Sequence, residues 1–231
     1  MAYRRSIFRN EFDNYTDTHI NVVLESCDKN DISQELKNSV LAAAIFQVSA
    51  AMENYLKDII SNWIFEIKKC NYSDLNIPIE MKAIILLKMQ QDIYKKYFMG
   101  NNGEISSLNS MISKIEDINK INSDGILQIL NVGSIVNDKK YPSINNIIQL
   151  FNRLGIKNIF NEVNKLGRYD SKLFLTSFMD VRTEIAHSTQ RTYFNANDVI
   201  DKLNRIKKLV GFFDRILYKF VMKKSISCCW K

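Results

Sequence analysis

An all-helical bundle of five to seven helices is what this sequence predicts, and three observations predict it. Apolar residues recur at three- and four-residue steps through 33–69, 171–186 and 197–222, the period of a helix with one buried face. Turn punctuation is sparse. The 231 residues include two Pro and seven Gly, fewer than a fold of many short strands and tight turns needs. No stretch alternates apolar and polar residues as a half-buried strand does. The length suits one large domain with a substantial core, or two small ones; it is taken as a single domain over 1–231, with 100–141 a helical excursion or insert.

Phe8, Phe12, Tyr15, His19 and Val22 form the stripe of a first helix that ends near Glu25. Asp31 and Gln34 resemble a capping box, and a long helix follows from about Ser33 to Lys69. Its apolar positions, from Val40 through Met52 and Tyr55 to Ile67, cover a wide face, so it belongs at the centre of the core. Pro78 sits where a helix can start, and Ile79 to Met99 is a third helix. Residues 100–141 are rich in Asn, Ser, Lys and Asp, with weak Ile periodicity. Ser143 to Leu154 forms a short helix that stops at Gly155. Asp170 and Ser171 can cap a helix running to His187, and Asn195 or Asn197 can cap the last one. In that last helix Val199, Leu203, Ile206, Val210, Phe213, Leu217 and Phe220 make a seven-residue repeat.

The net charge is +7, and all of the excess lies at one end. Residues 200–231 hold nine Lys or Arg against two Asp, while the remainder is balanced at 23 against 23. Such a stripe attracts polyanions, RNA included. Lys207, Lys208, Arg215 and Lys219 are its candidate RNA-binding residues, although a solvated helix face has the same composition.

No apolar run approaches the ~20 residues that span a bilayer, and the start of the chain is charged, so neither a membrane partner nor a leader is expected. Cys27, Cys70, Cys228 and Cys229 form no C-x-x-C pair and the chain has two His. A zinc site is not expected, and reduced thiols in a cytoplasmic setting are the default. Cys228 and Cys229 fall in a tail read as frayed.

Of the two His, His19 lies on the first apolar stripe and reads as a packed residue. His187 closes a helix whose apolar side is Leu175, Phe178, Val181 and Ile185, and Arg182 precedes it by five residues. An imidazole with a pKa near neutrality can take the proton of an RNA 2′-hydroxyl or give one to the leaving 5′-oxygen. A guanidinium can hold the phosphate and stabilise the charge of the transition state. This chemistry needs no metal and no cofactor. Five helical residues rotate the chain by ~140° and advance it ~7.5 Å. The pair therefore converges only at a fraying helix end, or where two protomers bring two such ends together. The bare spacing is a weak signal.

The string Val181-Arg182-Thr183-Glu184-Ile185-Ala186-His187-Ser188 resembles the R-N-x-I-A-H-G signature of HEPN domains, nearest to the branch found in bacterial toxin and phage-defence loci. Val48 to Ile60 resembles that family's long helix, with its small-residue, Glu, aromatic pattern. Ile144 to Ile156 resembles the short helix that ends upstream of the motif, and Asn197 to Met222 the closing helix. The resemblance covers 31–99 and 142–222. It implies an all-α bundle, a homodimer with the motif at its cleft, and metal-independent RNase activity with Arg182 and His187 catalytic. Glu53 on the long helix, which could orient His187 or pair with Arg182, would support them, together with Thr183 and Ser188. Thr183 stands where the family often has Asn or Asp, and Ser188 where it often has Gly. Thr189 stands where toxins modified by a partner nucleotidyltransferase carry Tyr, which does not support that partnership.

The leading expectation is an endoribonuclease toxin or abortive-infection effector, acting on RNA as a homodimer, with an antitoxin or defence-system protein as a further partner. Two readings stay beside it. One is a non-catalytic HEPN module that binds RNA, nucleotide or a partner protein. The other is an unrelated helical adaptor in which Arg182 and His187 are incidental.

Overall fold

The computed structural model describes residues 2–28, 31–69, 77–99, 103–121, 125–136, 142–187, 195–224 and 229–231. Among them there is no strand. Six helices are long: α1 (Ile7–Asp28), α2 (Gln34–Lys69), α3 (Ile79–Met99), α4 (Gly103–Lys120), α9 (Ser171–His187) and α10 (Ala196–Lys224). Four are short: α5 (Ile126–Ile129), α6 (Val132–Val136), α7 (Ile144–Arg153) and α8 (Ile159–Gly167). The described residues thus hold ten helices, not five to seven. Segments of four to nine residues are too short to display a helical period, so α5, α6 and α8 left no pattern to read.

Helix α2 is the axis of the fold. Leu41, Ile45, Met52, Ile60 and Ile64 are fully enclosed along its 36 residues. Helices α1 and α10 lie along it, α9 and α6 touch it, and α3 pairs with α4. The repeat of α10 is buried from Val199 through Leu217. Its Phe213 meets Phe151 of α7 (ring centroids 5.3 Å apart) and Phe160 of α8 (6.3 Å), so one buried ring joins three helices.

Helix ends follow local chemistry. Ser143 caps α7 by accepting from the Asn146 N–H at 3.2 Å. Gly155 then turns the chain with φ +79°, and the Ile156 N–H donates back to the Phe151 carbonyl at 2.9 Å, a left-handed stop that favours glycine. Asp170 caps α9 by accepting from Leu173 N–H at 3.0 Å, and Asn195 caps α10 through Asn197 N–H at 2.9 Å. At α2 the cap is Ser33, which accepts from Leu36 N–H at 3.3 Å, and not Asp31.

The first helix shows a different inner face from the expected one. Phe12, Asp13, Thr16, Ile20 and Val23 are buried, while Tyr15 and Val22 are exposed. His19 is half-buried against the edge of Tyr15, with centroids 4.6 Å apart. The reason is polar. The start of the chain closes on Asp214, which is fully buried in α10. Its carboxylate accepts from Tyr3 Oη at 2.5 Å, from Ser6 N–H at 3.2 Å, from Ser6 Oγ, and from Tyr55 Oη of α2 at 2.9 Å. Next to it Arg9 pairs with Asp13 at 2.7 Å and donates to the Lys207 carbonyl. Burial pulls the Arg9 guanidinium below its ordinary pKa and pushes the Asp13 carboxyl above its own.

Of the tail, residues 229–231 are held and not frayed, while Cys228 lies outside the described residues. Cys229 and Trp230 are buried. The Trp230 indole N–H donates to the Arg4 carbonyl at 2.9 Å, and Ile7 N–H donates to the Lys231 carbonyl at 3.1 Å. Lys231 also pairs with the buried Glu66 of α2.

Candidate active site

Helix α9 is anchored at one end and open at the other. Ser171, Phe174, Leu175, Phe178 and Met179 are buried, and beyond Met179 no residue of the helix is. Val181, Arg182 and Ile185 are half-buried, whereas Thr183, Glu184, Ala186 and His187 are exposed. The apolar side expected from sequence thus closes on the core for two turns and then meets it only partly. His187 is the last helical residue. Ser188, the other residue expected to support the pair, lies outside the described residues, as does Thr189.

Arg182 turns inward. Its Cζ lies 5.2 Å from the centroid of the Phe46 ring on α2, within the range of a cation–π contact. The helix is continuous through His187, so the ~140° and ~7.5 Å that separate the two positions are retained. The chain therefore presents a guanidinium seated on α2 and an imidazole facing solvent, one and a half turns apart. Phe46 is a member of this site that sequence reasoning did not single out. Its signal was an aromatic residue on the flank of a helix whose core positions were already filled.

Glu53 has a near partner on its own helix. Its Oε1 is 2.5 Å from Lys57 Nζ, and both line a small cleft with Pro142, Asn146, Ile147 and Leu150 of the α7 region. It follows Phe46 by seven residues, which places it on the same side of α2 about 10 Å further along.

The four basic residues of α10 differ from one another. Lys208, Arg215 and Lys219 are exposed, at positions i, i+7 and i+11 of one face. Arg215 also covers the Tyr3 ring, with Cζ 5.2 Å from its centroid. Lys207 is committed elsewhere, its Nζ 2.5 Å from Asp17 of α1.

The stripe also points away from His187. Lys202 Nζ reaches Ser177 Oγ at 3.5 Å and Arg205 lies over Phe174 at 5.9 Å, so α9 and α10 run antiparallel. Extending that register puts Lys208 level with the start of α9, about 24 Å along the helices from His187. His187 and Lys208 of one chain therefore lie too far apart to touch a common small group. Among the described residues no group of three or more His, Cys, Asp or Glu side chains converges as metal ligands do, and no helix is long and apolar enough to cross a membrane.

The family model described as RiboL-PSP-HEPN matches residues 14–219. That range begins inside α1 and reaches across 100–141, further than the resemblance read from the motif. No curated protein and no solved structure matches the chain. A match over most of the length, on a fold without a strand among its described residues, settles the family: this chain belongs to the RiboL-PSP-HEPN family of HEPN domains.

Proposed function

We propose that this protein is a metal-independent endoribonuclease that works as a homodimer, with Arg182 and His187 at the cleft between two α9 ends. The observation that carries this reading is the open end of α9, where a solvent-facing imidazole follows a guanidinium braced on Phe46. His187 of one protomer takes the proton of the 2′-hydroxyl, and the 2′-oxygen attacks phosphorus. The bond from phosphorus to the 5′-oxygen breaks, and that oxygen receives a proton from the imidazolium of the other protomer. Arg182 neutralises the charge that builds on the phosphoryl oxygens. The products are a 2′,3′-cyclic phosphate and a 5′-hydroxyl. Thr183 hydrogen-bonds at the phosphate, and Ser188, outside the described residues, and Glu53, paired with Lys57, are the further supporting residues. The biological role that fits is a toxin or abortive-infection effector held in check by an antitoxin or defence-system protein.

Cleavage of a labelled RNA by wild type and His187→Ala tests the assignment. The variant loses about 10²–10⁴ in rate, and equal rates contradict it. A second reading, a non-catalytic HEPN module that binds RNA, nucleotide or a protein partner, is favoured by Thr183 in place of an amide or carboxylate. It predicts RNA binding without products.

A further inference from the structure

Helix α4 is built inside out. The residues it buries are Ser107 and Ser110, and Ser110 accepts from Lys96 of α3 at 3.0 Å. The approach to α3 is close enough that a Cβ on Gly103 would fall 2.2 Å from the Tyr97 carbonyl. The apolar residues of α4 face the other way. Ile105, Leu108, Ile112 and Ile115 are 49–65% exposed. Their spacing of three, four and three is the a and d seam of a coiled coil, and the serines fall at the b, c and f positions that a coiled coil leaves outside. On the same hairpin Tyr94 and Phe98 of α3 are 61% and 76% exposed.

The four α4 side chains alone present on the order of 450 Å² of exposed apolar surface, within the ~300–600 Å² of the largest apolar patch on a typical monomer, a size that often marks an interaction site. The seam is also its own complement. Reversed about its centre at Ser110, Ile105 falls against the partner's Ile115 and Leu108 against the partner's Ile112, an a position opposite a d position in every layer. The flanking residues nearest such a two-fold axis are Asn109 and Met111, so no charge meets its own copy there.

We propose that the α3–α4 hairpin is a self-association surface, on which α4 of a second copy of this chain packs antiparallel through Ile105, Leu108, Ile112 and Ile115. The surface is separate from α9 and does not depend on the nuclease reading. If α9 also pairs, the two interfaces close on four copies where their two-fold axes cross at right angles and build a longer chain of copies otherwise, and breaking the hairpin interface brings either down to the α9 pair.

Sedimentation equilibrium of the full chain at micromolar concentration tests this against Leu108→Glu/Ile112→Glu. The variant is expected at half the wild-type mass or less, with unchanged helix content by circular dichroism. Asn109→Cys gives an independent reading should the paired charges disturb folding. A short bismaleimide should cross-link it to its own copy well above the wild-type background, while Glu25→Cys on α1 stays at that background. Equal masses for wild type and folded double variant overturn the proposal. So does cross-linking of Asn109→Cys no greater than that of Glu25→Cys, an outcome that would leave the hairpin to a different protein.

Discussion

The Arg182 guanidinium lies over the ring of Phe46, its Cζ 5.2 Å from the centroid. The contact joins α9 to α2 at the point where α9 leaves the core, and it sets where the cation sits. Phe46 touches neither substrate nor reacting atom in the proposed mechanism and acts only through Arg182. Phe46→Leu should slow RNA cleavage about tenfold, an effect on the order of the ~1–2 kcal/mol of a partly desolvated cation–π contact. Phe46→Tyr should restore it. A purely structural role for the ring would be met by Leu, and no rescue by Tyr would follow. Arg182→Lys should not substitute for Arg182, because an ammonium lacks the planar fork that suits a phosphate.

The basic face of α10 supplies affinity and no chemistry in this account. Reversing Lys208, Arg215 and Lys219 to Glu should weaken RNA binding and lower the slope of log K against log salt by about 0.7–0.9 for each phosphate no longer neutralised. Lys207→Glu is different, because it breaks the pair with Asp17 and should act on stability. Fluorescence anisotropy across a salt series, with thermal melts of each variant, separates the two effects. Unchanged affinity and slope would make the stripe a solvated face.

Asp214 is the polar centre of the fold. Tyr55→Phe removes one donor from its buried carboxylate and should cost about 1.5–3 kcal/mol, while Asp214→Ala strands several buried donors and should cost more. Urea denaturation measures both. A loss of a few tenths of a kcal/mol in either would contradict the network. Among Phe side chains, Phe178→Ala should cost ~3–5 kcal/mol, whereas His187→Ala, at an exposed helix end, should leave stability nearly unchanged.

Burial holds the His19 imidazole below its ordinary pKa of 6.5. The folded state therefore binds its proton less readily than the unfolded state does. The stability from keeping His19 neutral is present above the ordinary imidazole range and is lost as pH falls through it. Melts between about pH 7 and pH 5 should show stability falling with pH, less steeply in His19→Gln. An identical slope in the two proteins would remove His19 from the account.

Much of the fold was legible because its largest helices bury simple stripes. Every residue of the repeat from Val199 to Leu217 is buried, and so is the face of α2 from Leu41 to Ile67, with Val40 half-buried at its edge. Where the inner face carries polar groups, the pattern misleads. On α1 the core side is Asp13 and Thr16 as well as Phe12 and Ile20, and no hydrophobicity rule selects the first two. On α4 the apolar stripe points outward, so its weak periodicity said little about the core of one chain. The candidate site can be named from sequence as residue types, Arg182 and His187, and not as geometry. Neither the seat of Arg182 on Phe46, 136 residues away in sequence, nor the antiparallel register that carries Lys208 away from His187 follows from spacing along the chain.

In the proposed mechanism His187 performs proton transfer in RNA cleavage without a metal. The measurement that tests it most directly incubates wild type and His187→Ala with RNA in excess EDTA and determines the chemistry of the new ends. The account predicts 2′,3′-cyclic phosphate and 5′-hydroxyl ends from the wild type, undiminished by EDTA, and none from a folded variant with the same oligomeric mass. Cleavage that disappears with EDTA, 5′-phosphate ends, or equal cleavage by both proteins would contradict it.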